Sequence, residues 1–251
     1  MMKYVFIILL SIHILGDFYF QTEKVAERKK KEFKWVLLHS IIYAVVSAMM
    51  ISIVIPGLPY AYTLILTISH GVIDILKFLI CSCKFVKDKI GICSSKNIFI
   101  IDQMIHLVII IFVTYSTYDY LTDRLFNNQI RDCFNLFEIP ETLVLSLFIK
   151  ILLIHKPANI LISSILEKYK PTVEKRDGTK EKNAGRFIGT LERIIMTIFI
   201  TINQYSVVGL VLTAKSITRY NKISEEPEFA EYYLLGTLLS TICAICVSIL
   251  F

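Results

Sequence analysis

The sequence predicts an all-α polytopic membrane protein of about eight transmembrane helices, with six as the lower bound, and three observations predict it. Of its 251 residues, 55% are hydrophobic and 19% charged, against roughly 45–50% and about 25% in soluble domains. The apolar residues fall into blocks at 1–20, 36–55, 60–80, 98–118 and 232–251, each near the roughly 20 residues that cross a bilayer. Lys and Arg gather between these blocks, as they do in cytoplasmic loops. Together these exclude a soluble enzyme, a nucleic-acid-binding domain and a disordered tail. The net charge of +6 is therefore a topology signal rather than a nucleic-acid footprint.

Spans at 3–20, 36–55, 60–80, 98–118, 141–160, 186–203, 205–220 and 229–250 place three basic stretches on one side. The first, 21–34, holds Lys24, Arg28, Lys29, Lys30, Lys31 and Lys34. The second, 81–97, holds Lys84, Lys87, Lys89 and Lys96 against Asp88, and the third, 168–186, holds Lys168, Lys170, Lys175, Arg176, Lys180, Lys182 and Arg186. The Pro56-Gly57-Leu58-Pro59 turn is uncharged and 119–138 leans acidic, so both belong outside, with the two termini. Residues 186–203 and 205–220 read as a hairpin or as a partly re-entrant segment. Lys215, Arg219 and Lys222 at their far end return to the inside, which favours the hairpin. No small-residue cleavage site follows the first block, so it reads as a span and not a cleaved signal. Two domains follow: 1–120 as four helices, and 121–251 as the remaining helices with a basic cytoplasmic loop. The stretch 21–34 reads as a helix lying on the membrane, with Val25, Phe33 and Trp35 at the interface. The Cys243-x-x-Cys246 pair, without a second such pair, reads as core packing and not a zinc site.

Ionisable residues inside the spans are what a bilayer rejects, at about 2.5–3.5 kcal/mol each on insertion scales. Span one holds His13 and Asp17, span two His39, span three His70 and Asp74, and span four Asp102 and His106. Residues at i and i+4 share a helix face. His13/Asp17, His70/Asp74 and Asp102/His106 therefore each aim an imidazole and a carboxylate the same way. Span four runs opposite to spans one and three and its order is reversed, so every Asp lies on the cytoplasmic side of its His. At about 1.5 Å per residue the carboxylates sit roughly 5–9 Å deep, with the imidazoles about one turn deeper.

Imidazole with carboxylate is a ligand set for a divalent ion such as zinc, manganese or iron. Seven such groups suffice for one or two ions, with spare carboxylates to orient imidazoles or to act on a metal-bound water. Gln21 and Gln103 add polar contacts. The same residues also suit an ion or proton pathway, or polar glue between helices.

The run His13-Ile14-Leu15-Gly16-Asp17-Phe18 with Gln21, then His39, His70-x-x-x-Asp74 and Asp102-Gln103-x-x-His106, resembles a bacterial membrane family catalogued as domain of unknown function 3307. The resemblance covers about the first 120 residues. Gly185-Arg186-x-x-Gly189-x-Leu191-Glu192-Arg193, Ala214-Lys215-Ser216 and Glu231-Tyr232 are similar to the extension many members carry. It implies a helical membrane fold in a bacterial plasma membrane and no settled activity. More distantly, the His/Asp pattern is similar to membrane proteins labelled metal-dependent hydrolases.

In the carboxyl half, Arg193 and Lys215 read either as ion-pair partners of Glu231 and Glu192 or as phosphate-binding cations. The function expected is a metal-dependent hydrolase acting on a phosphorylated lipid-like or nucleotide-like substrate from the cytoplasmic side. His13, Asp17, His39, His70, Asp74, Asp102 and His106 supply the metal ligands. One of Asp17, Asp74 and Asp102 serves as general base, and Arg193, Lys215, Gln21 and Gln103 contact the substrate. The alternatives are an ion or proton transporter using the same cluster and a non-catalytic membrane partner. The bilayer is the partner expected; nucleic acid is not.

Overall fold

The computed structural model describes residues 2–82, 95–118, 120, 127–171 and 178–251, with the backbone alone for 95–96 and 178–184. Lys84, Lys87, Asp88 and Lys89 of the second basic stretch, Lys175 and Arg176 of the third, and residues 119 and 121–126 of the acidic loop lie outside the described residues. The described elements are all helical: α1 (Met2–Ile14) running into a π-helical turn (Leu15–Tyr19), α2 (Glu23–Arg28), α3 (Phe33–Val54), α4 (Tyr60–Ser82), α5 (Ser95–Ser116), α6 (Asn128–Leu136), α7 (Glu141–Ile154), α8 (Lys156–Leu166), a 3-10 turn (Glu167–Tyr169), α9 (Gly178–Thr201), α10 (Tyr205–Thr218), α11 (Tyr220–Glu225) and α12 (Pro227–Leu250). The chain is an all-α polytopic helical membrane protein. Among the described residues, six stretches are long and apolar enough to cross a membrane: Met2–Tyr19, Phe33–Val54, Tyr60–Ser82, Asn97–Ser116, Glu141–Tyr169 and Pro227–Leu250.

The expected sixth and seventh spans differ from these. Every 18-residue stretch of α9 contains Arg186, Glu192 and Arg193, and α10 has only 14 residues, roughly 21 Å of helix against about 30 Å of hydrocarbon. α9 and α10 pack on each other as a helical hairpin. Its tip turns at Asn203, whose φ of 61° is a left-handed conformation Asn tolerates better than most residues, and Gln204 N–H closes on the Phe199 carbonyl at 2.7 Å.

The contacts divide the chain into two units, Met1–Ser146 and Leu147–Phe251. In the first, α1 is the central helix, with 67% of its span buried against 22–33% for α3, α4 and α5. Val5, Ile8, Leu9 and Ile12 of α1 pack on Ile51, Ile55, Leu58 and Leu66 around the α3–α4 turn and on Ile110 and Val113 of α5. This apolar core fills one half of the bundle. The His and Asp residues occupy the other half, towards the C-terminal end of α1 and the N-terminal ends of α3 and α5. On the outside, Leu37, Ile41, Val45, Met49 and Ile53 form an exposed apolar stripe at four-residue steps along α3, the inside-out pattern of a lipid-facing helix. In the turn before α3, the Lys34 ammonium bonded to Glu32 at 2.7 Å holds that exposed carboxyl below its ordinary pKa.

In the second unit, α9 packs on α12 and α10, and α12 on α8 and α11. The long stretch Glu141–Tyr169 is not one straight helix. It breaks at His155 (φ −85°, ψ −97°), two residues before Pro157, whose ring lacks an N–H and collides with the carbonyl four residues back.

Gly16 sets a close approach in the first unit. A Cβ there would lie 2.6 Å from Cδ2 of Tyr43, so the π turn comes this close to the Tyr43 ring on α3 only because residue 16 has no side chain. Gly16→Ala is expected to cost about 1–3 kcal/mol by overpacking. Thermal unfolding in detergent measures it, and adding Tyr43→Leu should recover part of the loss. A Gly16→Ala protein as stable as wild type would contradict this contact.

Candidate functional site

The site is assembled within the first unit. Phe20 N–H reaches the Leu15 carbonyl at 2.8 Å, the five-residue bond of a π turn, a feature often found at functional sites. The wide turn re-aims Asp17 so that its two oxygens serve different helices. Oδ1 lies 3.1 Å from Nε2 of His39 on α3, and Oδ2 accepts from the Gln103 amide on α5 at 2.9 Å.

The carboxylates form one tier. His39 Nε2 is also 3.3 Å from Asp74 Oδ2. Lys29, which caps the C-terminal end of α2, places its Nζ 3.3 Å from Asp74 Oδ2 and 3.9 Å from Asp17 Oδ1. Lys77 places its Nζ 2.8 Å from Asp102 Oδ2 and 3.9 Å from Asp74 Oδ1. All three Asp and His39 are buried, so ionised carboxylates here need these ammoniums or another cation.

The imidazoles form the second tier, one helical turn along from the Asp residues. The rings of His70 and His106 lie 4.6 Å apart between centroids, and those of His13 and His106 stack at 4.8 Å. His39 reaches His70 at 5.3 Å. Tyr43, one turn beyond His39 on α3, lies flat against His70 at 3.6 Å with planes 11° apart.

Hydrogen bonds sort these imidazoles by role. His13 is saturated: the Tyr43 hydroxyl donates to Nδ1 at 3.3 Å, and Nε2–H donates to Gln103 Oε1 at 3.4 Å. His106 donates from Nδ1 to the Asp102 main-chain carbonyl at 2.8 Å, which leaves Nε2 as a bare acceptor, the arrangement common to metal-ligating histidines. That Nε2, both nitrogens of His70, Nδ1 of His39 and Oδ1 of Asp102 are buried with no hydrogen-bond partner among the described residues. Buried polar atoms are ordinarily satisfied, so the cluster is short of partners among the described residues.

The donor set suits a divalent ion. Ligand atoms of Asp17, His39 and His70 all lie within 4.8 Å of one another. A tetrahedral ion with bonds of about 2.0–2.2 Å spaces its ligands about 3.3 Å apart. The Asp17–His39 contact of 3.1 Å and the Asp17–His70 contact of 3.9 Å bracket that spacing. Asp74 Oδ2, 3.3 Å from His39, offers a fourth position.

Of the residues named from sequence, Asp17, His39, His70, Asp74, Asp102, His106, His13 and Gln103 come together in this cluster. Gln21 does not join it by any described hydrogen bond, and its Oε1 is buried without a partner among the described residues. Arg193 and Lys215 belong to the second unit. Arg193 spends its guanidinium on the Ile154 carbonyl (2.8 Å), Ser240 (3.1 Å), Asn159 (2.6 Å) and Thr190 (3.3 Å). Lys215 pairs with Glu192 at 2.6 Å. Three cluster residues escaped the sequence reading. Lys77 is an ionisable residue inside a span, so the rule that found the Asp residues also covers it. Tyr43 stands four residues after His39 on the same helix face. Lys29 was counted with its loop, and only the fold of α2 brings it to the carboxylates.

No curated protein and no solved structure matches the chain. A family model described as a protein of unknown function (DUF3307) matches residues 5–132, which contain every residue of the two tiers, Lys29, Lys77 and Tyr43 included, and exclude Arg193 and Lys215. With about half of its length matched by that model, and the matched half carrying the whole cluster, the chain belongs to the DUF3307 family of proteins of unknown function.

Proposed function

We propose that the protein is a membrane-embedded, divalent-metal-dependent hydrolase of phosphorylated substrates. The observation that carries this reading is the convergence of Asp17, His39 and His70 within 4.8 Å, with both His70 nitrogens buried and lacking a hydrogen-bond partner among the described residues. When bound, the ion supplies a water acidified towards neutrality and an electrophile for a phosphoryl oxygen. Zinc, manganese and iron all suit this nitrogen and oxygen donor set.

The other residues divide the work. Asp102 Oδ1, which has no described partner, accepts the proton of the attacking water. Lys77 and Lys29 stand beside the ligands as the cations that balance charge on phosphate oxygens, the part given on sequence grounds to Arg193 and Lys215. Gln103 and Tyr43 hold His13, and through it the imidazole tier, in register. Substrate enters from the side that carries Lys29 and its basic neighbours Lys30 and Lys31, the cytoplasmic face by the excess of positive charge, in a bacterial plasma membrane.

Metal analysis of the protein purified in detergent tests the reading. Wild type is expected to hold stoichiometric divalent metal and His70→Ala to lose it. Asp102→Asn should keep the metal and lose about 10²–10⁴-fold in phosphoester hydrolysis, the usual weight of a general base. Wild type that stays metal-free under zinc, manganese and iron supplementation would end the proposal. A second reading, cation or proton transit, draws on the run of touching rings from His39 through His70 to His106. Flux across vesicles containing a metal-loaded but hydrolytically silent protein would favour it.

A further inference from the structure

The Lys29 ammonium and the proposed metal share their ligands. Nζ lies 3.3 Å from Asp74 Oδ2 and 3.9 Å from Asp17 Oδ1, and His39 Nε2 contacts the same two oxygens at 3.3 and 3.1 Å. An ion held by Asp17, His39 and His70 therefore arrives within a few ångströms of a fixed positive charge. Cations that close repel strongly at the low effective dielectric of a buried site.

The charge balance says which cation yields. Asp17, Asp74 and Asp102 against Lys29 and Lys77 leave the buried cluster with one net negative charge while the histidines are neutral. Adding a divalent ion with both lysines in place overshoots to one positive charge. Adding it with Lys29 withdrawn gives neutrality. Lys77 is the poorer candidate to leave: it stands on α4 itself, three residues from Asp74, and holds Asp102 at 2.8 Å. Lys29 stands at the C-terminal cap of the short α2, and its contacts with Asp74 and Asp17, at 3.3 and 3.9 Å, are longer than the Lys77–Asp102 pair. α2 is held together by the Thr22 cap on Val25 N–H at 3.3 Å and docked independently of Lys29 by buried Val25 and by Arg28 over the Trp35 ring at 5.0 Å. The Lys29 side chain can thus swing out while α2 stays docked.

We propose that Lys29 is a tethered competitor for the metal site: it neutralises Asp17 and Asp74 in the metal-free protein, and loading of the ion expels it from the carboxylates. Once expelled, it is a free cation available to an incoming phosphate. This rests on the metal-binding reading above and adds an exchange of one cation for another.

The test compares zinc and manganese affinity of wild type, Lys29→Gln, Lys29→Met and Lys31→Gln, the last an exposed neighbour in the same basic run. Both Lys29 variants are expected to bind at least about tenfold more tightly than wild type, with Lys31→Gln unchanged. In parallel, acylation of Lys29 by an amine-reactive probe, read by mass spectrometry, should rise several-fold when metal is added to wild type. Unchanged or weaker binding by the Lys29 variants, or labelling insensitive to metal, overturns the exchange while leaving the metal site standing. Absence of metal binding by every variant overturns both.

Discussion

Asp17→Asn should lower divalent-metal affinity by about 10²-fold or more and abolish detectable hydrolysis with it. Loss of an outer partner alone costs 10–100-fold at metal sites, and Asp17 is proposed as a ligand. Its two oxygens face His39 and Gln103, and Lys29 and His70 stand 3.9 Å from Oδ1. An amide in its place presents an NH2 group either to the Gln103 NH2 or to the His39 and Lys29 side. The variant therefore loses a negative charge and sets a donor against a donor. Titration against a chelating dye measures the affinity. Asp132→Asn, an exposed carboxylate on α6, serves as the control expected to match wild type. Wild-type affinity in Asp17→Asn would remove Asp17 from the ligand set.

Arg193→Met should cost the fold about 3 kcal/mol or more without removing the metal. Arg193 is 2% exposed, and its guanidinium makes four hydrogen bonds to neutral oxygens on α8, α9, α12 and the broken end of α7. Each buried acceptor left unsatisfied costs about 1–3 kcal/mol. The Ile154 carbonyl matters most, because the break at His155 turns it out of the helix ladder and Arg193 supplies a replacement donor. Lysine is a poor substitute, since a single ammonium cannot reproduce the planar fork. A falling unfolding temperature with unchanged metal content is the expected pair of results. Reduced hydrolysis at an unchanged unfolding temperature would instead return Arg193 to the substrate.

The same residues show how much could be read beforehand. The His/Asp cluster was legible because its signal is local: four residues along a helix return to one face, and successive spans run in opposite directions. That was enough to anticipate carboxylates and imidazoles in two tiers. Direction within the cluster was not legible. The π turn at Leu15–Tyr19 departs from the regular helix on which the spacing argument rests, and it decides that Asp17 serves His39 and Gln103. The saturation of His13 by Tyr43 and Gln103 depends on the rotation of α3 and α5 about their axes, which no spacing within one helix fixes. In the carboxyl half, Arg193 had the composition of an anion site and the geometry of a helix anchor. Only its partners, 34 to 47 residues away in sequence for Asn159, Ile154 and Ser240, distinguish the two.

By itself the sequence determined that this chain is a helical membrane protein and which intramembrane His and Asp residues would converge, because hydropathy and helical periodicity are properties of short segments. The tertiary structure alone decided which atoms remain without partners among the described residues, that Lys29 and Lys77 face the carboxylates of the first unit while Arg193 and Lys215 are engaged within the second, and that α9 and α10 close as a hairpin shorter on one side than a bilayer. The physical reason is common to all three. Hydrogen bonds and ion pairs act over about 3–4 Å, so their assignment needs helix rotations and side-chain reaches that a linear pattern does not contain.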